Sequence, residues 1–289
     1  MANTLETLAF GYGLIEGPRV DDAGNLYFSD VPNGGVRRLT PDGTVELVIP
    51  KRRGVGGIAL HAAGGLVVSG RNICHVTDGE TTILFETECL GFNDLMADAH
   101  GRVICGTIRS DPFDLSGPRQ AGEAYRINLD GSVDQLYGGV GLTNGIGFSP
   151  DGTRMYHSDS VSGHVICHDI DPAGGAELPT NRRPLKPAGH FSPDGLAVDE
   201  DGVVWVADFE AGAVLGLTPE GDLAARIDVP ATMVTSLCFG GEDRRDLYIV
   251  TADNTEDAER AGTIFRTRAD VPGLAAPLAR VVPTSSAAG

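Results

Sequence analysis

Four oxygen-bearing side chains, Glu16, Asn93, Asn144 and Asp194, occupy one register of a repeating unit, each eight residues before a turn glycine (Gly24, Gly101, Gly152 and Gly202). The same step back from Gly64 lands on Gly56, and from Asp243, at a looser sixth turn, on Thr235. None of the six is histidine or cysteine. A ring of carboxylate and amide oxygens without a soft donor suits one hard divalent cation. Ca²⁺ accepts irregular oxygen geometry better than Mg²⁺ does, and Zn²⁺ or Mn²⁺ are further options. Gly56 and Thr235 leave one arc less crowded, where water and substrate would reach a catalytic metal. Glu16, Asn144 and Asp194 each precede a glycine, which lets backbones approach closely around a small object.

An Asx before a glycine is by itself an ordinary turn former. Register separates the two cases. In the Ser-Pro-Asp-Gly at 149–152, Asp151 sits directly before the turn glycine, as a turn residue; in the copy at 192–195, Asp194 lies at the start of an inner strand.

The elements that must carry these residues follow from the repeat. A short apolar segment (Leu196-Ala197-Val198) runs into the glycine turn, and a β-prone strand (Leu26-Tyr27-Phe28, Val204-Trp205-Val206) follows. After a loop comes a third strand (Val36–Leu39), then a turn such as Pro41-Asp42-Gly43 and a fourth strand. Strand-rich runs between Gly, Pro and Asp turns read as all-β. Anchor spacings of 40, 37, 51, 50 and about 41 residues fit four-stranded propeller blades. We therefore expect a six-bladed β-propeller with four antiparallel strands per blade, as one domain over residues 1–289. Leu5–Phe10 is expected to close the ring as the outer strand of the last blade, beside Thr263–Arg266, hiding an edge that invites aggregation.

Composition narrows the partners. The chain has 40 acidic and 22 basic residues, net −18, and its one basic run, Lys51-Arg52-Arg53, reads as a solvated connection; binding to a phosphate backbone needs more. Acidic surface favours a cation over an anionic ligand. Five cysteines without a Cys-x-x-Cys spacing read as free thiols of a reducing compartment. The N-terminus has no basic and apolar leader pattern, and no apolar run approaches a membrane span. The expectation is a cytoplasmic protein acting on a small molecule, without nucleic acid or membrane.

Glu16-Gly-Pro, Phe92-Asn93-Asp94, Asn144-Gly145, Pro193-Asp194-Gly195-Leu196 and Val204-Trp205-Val206-Ala207, in order along the chain, resemble the SMP-30/gluconolactonase/regucalcin-like family. The resemblance implies a divalent metal held by Glu16, Asn144 and Asp194, with Asn93 orienting substrate or water. It further implies that Asp194 doubles as general base in hydrolysis of an intramolecular ester. Sugar-lactone members carry an arginine where this chain has Gly91. From that difference we expect a preference for flatter or more apolar lactones, with Phe92, Phe113 and Phe209 as walls.

Two long loops, 108–122 (Arg109, Asp111, Phe113, Arg119) and 252–262 (Asp253, Asn254, Arg260), are expected on the ligand face. Arg109, Phe113 and Phe209 join Asn93 as candidate substrate contacts. Asp30, Asp159 and Asp208, at the end of second strands, read as turn-locking carboxylates, and Asp94 is expected to point away from Asn93, towards a neighbouring blade or the surroundings of the ring. His157, His164 and His168 read as ordinary strand residues of blade four. Other chemistries compatible with such a ring are phosphotriester hydrolysis, isomerisation or elimination, or calcium or ligand binding without catalysis.

Overall fold

The computed structural model describes residues 4–114, 117–185 and 189–283. They form six four-stranded antiparallel sheets, with one 3₁₀ turn at Ala258–Arg260 as the only helical element among them. In five sheets the strands follow chain order outward, as in Ile15–Val20, Leu26–Asp30, Val36–Leu39 and Val45–Ile49. The inner strands of the remaining blades are Ile58–Leu60, Gly91–Ala97, Thr143–Phe148, Pro193–Val198 and Val234–Gly240. Each packs against the inner strands of both neighbours, which closes the ring around an axis. The last blade is completed by Glu6–Tyr12, which pairs with Gly262–Arg268 in the register Glu6↔Arg266 and Phe10↔Thr263. The expected closure is therefore present.

Apolar alternation along the strands places the core between blades. Ile15 and Phe28 of blade one meet Tyr248, Val250 and Ile264 of blade six. Val67, Ile73 and Leu84 of blade two meet Phe92, Leu95 and Cys105 of blade three. Burial of each such side chain contributes about 1.5–3 kcal/mol, so the ring is held blade to blade. All five cysteines are free, and only Cys89 is not fully buried.

The turn glycines are required for conformation. Gly24, Gly64, Gly101, Gly152 and Gly202 all have φ between +68° and +88°, where a Cβ is strained. The sixth turn departs from the expected anchor. The left-handed residue is Arg244 (φ +56°), whose N–H donates to Gly241 O, nine rather than eight residues after Thr235. The extra residue lies before the turn, where Gly240↔Asp246 adds a rung to the hairpin, so Thr235 keeps its register.

The recurring carboxylates lock loops as expected. Asp159 accepts from Gly141 N, Leu142 N and Ser162 N, and Asp30 from Gly13 N and Asn33 Nδ2. Asp208 accepts from Ser192 N. Asp253, assigned above to a ligand loop, belongs to this set, since it accepts from Thr232 N and Met233 N. Arg52 is not a solvated charge: its guanidinium donates to Ser69 O and to Asn72 O and Oδ1, tying blade one's exit to blade two.

Candidate active site

Each of the four oxygen-bearing residues sits beside a β-bulge at the start of its inner strand. Register shifts fall between Glu16 and Arg19, Phe92 and Leu95, Thr143 and Ile146, and Pro193 and Leu196. A bulge inserts a residue without a ladder partner and re-aims side chains. Here it does so at the same height in several blades. Glu16, Asn144 and Asp194 are each at most 6% exposed.

The glycines after these residues have a different purpose from the one expected. A Cβ on Gly145 would lie 2.5 Å from Leu196 N and 2.7 Å from Asp194 O, and one on Gly195 would lie 2.1 Å from Ser236 Oγ. One on Gly17 (φ +58°) would lie 3.1 Å from Ile58 N. What approaches closely is the next blade, not a ligand, and that approach fixes the spacing between ring residues. Gly145→Ala is accordingly expected to cost about 1–3 kcal/mol of stability by overpacking, read by urea denaturation, and to displace Asp194. An unchanged midpoint would contradict this account.

Hydrogen bonds between blades orient the ring. Asn93 Nδ2 donates to Thr143 O at 2.8 Å. Its Oδ1 leans over Gly56, where a Cβ would come within 2.2 Å of it. Gly56 is thus the space that Asn93 fills rather than an open arc. Asn144 Nδ2 donates to Ser160 Oγ at 3.2 Å, and Ser160 donates to Pro193 O at 2.6 Å, linking blade four to the residue before Asp194. Thr235 is no ligand candidate: fully buried, its hydroxyl donates to Ile15 O and Val250 O, clamping blade six to blade one.

The electrostatics of the ring are those of carboxyls held out of water. Burial pushes the Glu16 carboxyl well above the usual range, and the charges of Asp194 and Asp94 push it further. Burial does the same to Asp194, with Asp94 adding to it and a hydrogen bond from Asn144 opposing it. Asp194 Oδ1 is buried and has no hydrogen-bond donor. Two carboxylates out of water cannot both ionise without a positive partner. A divalent cation would satisfy both and the orphaned oxygen, with the Asn144 amide as a third oxygen donor. Among the described residues no three His, Cys, Asp or Glu side chains converge as a metal-holding group; the set is two carboxylates plus an amide.

The remaining sequence candidates divide. Phe92 is fully buried in the core between blades two and three, because it packs against Phe85, so it lines no pocket. Arg109 is committed to Glu123 (Nε to Oε2, 2.9 Å) and to Glu88 O, bracing its loop. Phe113 is 74% exposed, and residues 115 and 116 of the same loop lie outside the described residues. Phe209 is half-buried, its N–H bonded to Ser192 O beside the Asp194 strand. The 252–262 loop is tied down by Asn254, whose Oδ1 accepts from Glu256 N and Asp257 N, and by Arg260, which stacks over Phe10.

Asp94 points to the neighbouring blades, as expected: its Oδ1 lies against Gly57 of blade two. It accepts from Leu95 N at 2.7 Å and meets Arg19 of blade one. Sequence reading missed Arg19. The available signal was its place three residues after Glu16, where the other blades carry Ala59, Met96, Gly147, Ala197 and Cys238. A cavity of about 270 Å³ lies at the opposite end of the axis, lined by Arg19, Met96, Phe148, Leu196, Phe239 and Leu274 among others. It is largely apolar and contains none of the ring residues.

The profile of the family described as "SMP-30/Gluconolactonase/LRE-like region" matches residues 14–253. A 6-deoxy-6-sulfogluconolactonase of Pseudomonas putida is 35% identical over 88% of this chain and 90% of its own length. The pentonolactonase XacC of Haloferax volcanii is 32% identical over 85% of this chain and 87% of its own. A solved luciferin-regenerating enzyme superposes with a TM-score of 0.85 at 25% identity, covering 97% of this chain and 100% of that one.

Proposed function

The chain belongs to the SMP-30/gluconolactonase/LRE-like family, and from that membership we propose that it is a divalent-metal-dependent lactonase acting on a hydroxylated, sugar-type lactone. The observation that carries the metal is the pair of buried carboxylates, Glu16 and Asp194, with Asp194 Oδ1 lacking any donor. Glu16, Asn144 and Asp194 would hold the ion, Ca²⁺ by preference since every donor is a hard oxygen. When bound, the cation supplies Lewis-acid polarisation of the ester carbonyl and acidification of water. Asp194 accepts a proton from the water whose oxygen adds to the carbonyl carbon. It returns that proton to the ring oxygen as the C–O bond breaks, leaving an open-chain hydroxy acid. Asn93, held by Thr143 O, presents its Oδ1 beside the ring, oriented to accept from the attacking water or a substrate hydroxyl.

The expected preference for flat, apolar lactones keeps its starting point, Gly91 in place of an arginine, but loses two of its walls. Of its three walls, Phe92 is core and Phe113 faces solvent, while two relatives carry the names of sugar lactonases. Phe209 remains as one apolar contact at the mouth. The test is a panel of gluconolactone, a pentonolactone, an unsubstituted aliphatic lactone and a phosphotriester, each with and without chelator. Chelator-sensitive turnover of the sugar lactones is expected, exceeding that of the aliphatic lactone by tenfold or more. Preference for the phosphotriester, or turnover indifferent to chelator, would overturn the reading. Saturable Ca²⁺ binding with no turnover would make the protein a binder.

A further inference from the structure

The inner strands build the axis in layers. Below the ring comes Gly17, Gly57, Asp94, Gly145, Gly195 and Ser236, the residue after each ring position. Two residues further along the strands comes the layer in which Arg19 is the one charged member. Arg19 crosses from blade one to blade three: Nη1 donates to Pro18 O at 2.7 Å, Nη2 to Leu95 O at 3.2 Å, and Nη2 lies 3.7 Å from Asp94 Oδ1. Both side chains are at most 5% exposed. Blade two makes room, since a Cβ on Gly57 would come within 2.8 Å of Asp94 Oδ1. Blade four contributes the Ile146 N–H to Asp94. Taking an ion pair this deep out of water can cost more than its attraction returns, and here further hydrogen bonds to both side chains offset part of that cost.

We propose that the Arg19–Asp94 pair sets the charge of the ring: Asp94 adds a third negative charge beneath Glu16 and Asp194, Arg19 cancels one, and the net of two negative charges selects a divalent cation. This rests on the cation reading of the ring. Asp94 faces Arg19, its field reaches Glu16 and Asp194, and Arg19's reaches Glu16 with opposite sign. Removing Asp94's charge leaves a net of one, which disfavours any polyvalent ion. Removing Arg19's leaves a net of three, which favours a trivalent ion. Removing both restores two. Arg19 and Asp94 touch no substrate in this scheme; they act through the metal ligands.

The experiment is calorimetric titration of metal-stripped protein with Ca²⁺ and with Tb³⁺, an oxygen-seeking trivalent ion, in wild type, Asp94→Asn, Arg19→Met and the double variant. Asp94→Asn is expected to weaken Ca²⁺ binding about tenfold or more, as loss of one unit charge a few ångströms away requires. Arg19→Met is expected to raise the Tb³⁺-to-Ca²⁺ affinity ratio about tenfold or more. The double variant returns both readings to within about threefold of wild type. A purely structural brace would not move the ion-charge ratio, and the double variant would be the worst of the set in affinity and melting temperature; that pattern overturns the proposal. Should Arg19→Met not fold, Asp94→Asn binding both ions as wild type does overturns it alone. Wild-type protein that binds neither ion refutes the cation reading itself, whereas wild-type binding with unmoved variants refutes only the charge-setting pair.

Discussion

Asp194→Asn is expected to lower lactone turnover by about 10²–10⁴, the usual size of a lost general base, while the protein still binds metal. The substitution keeps an oxygen at nearly the same place and volume. It removes the charge and the basicity of Oδ1, the atom that no donor in the fold satisfies. Asp194 is 5% exposed, so in the metal-free protein burial and the Asp94 charge favour its protonated form. A cation reverses that preference and makes the base available. The check pairs steady-state kinetics with a metal titration of the variant. Near-normal turnover with metal bound would leave Asp194 a ligand only. Loss of both metal and turnover, restored by excess metal, would assign the defect to binding.

Glu16→Gln should behave in the opposite way, weakening metal binding about tenfold or more and recovering part of its turnover when metal is added in excess. The same carboxylates predict a pH signature. Both have folded-state pKa values raised by burial, Glu16's further by Asp194 and Asp94 and Asp194's further by Asp94, against unfolded values of about 4.3 for Glu and 3.9 for Asp. A raised pKa means that their contribution to stability is fully present below about pH 4 and is lost as pH rises through the folded values. The metal-free protein is therefore weakened towards neutral pH by its own ring, and the cation restores what was lost. The rise in melting temperature on adding Ca²⁺ should be larger at pH 8 than at pH 5, and Glu16→Gln should flatten that difference. His157, which burial lowers to about 3, and His168, lowered to about 4, act oppositely: their contribution is present above about pH 6.5 and lost as pH falls. The comparison with and without metal cancels that background. A metal-induced shift that shrinks with pH would contradict the two-carboxylate site.

The chain's periodicity determined the propeller, and for a physical reason. A blade is a local unit whose turn glycines need φ > 0 and whose strands alternate with period two, so both are written in adjacent residues. The N-terminal strand's return to the last blade was also legible, because Leu5–Phe10 is β-prone and would otherwise leave an edge exposed. Register alone brought Glu16, Asn93, Asn144 and Asp194 to one end of one axis.

What the sequence did not determine depends on contacts between blades. Strand alternation sends Asp94 away from Asn93, but the charge it meets there, Arg19 of another blade, is set only by how the blades pack. Gly56 reads as open space, but whether the neighbouring amide fills it depends on how closely blades two and three approach. Thr235 shares the ring's register, yet its hydroxyl is taken by two carbonyls from other strands. Arg109 and Phe92 have side chains fit for substrate; a carboxylate fourteen residues away and an aromatic core claim them instead. In each case one-dimensional spacing fixes height along the axis, while direction and partners are set by bulges and inter-blade packing, which exist only once the ring has closed.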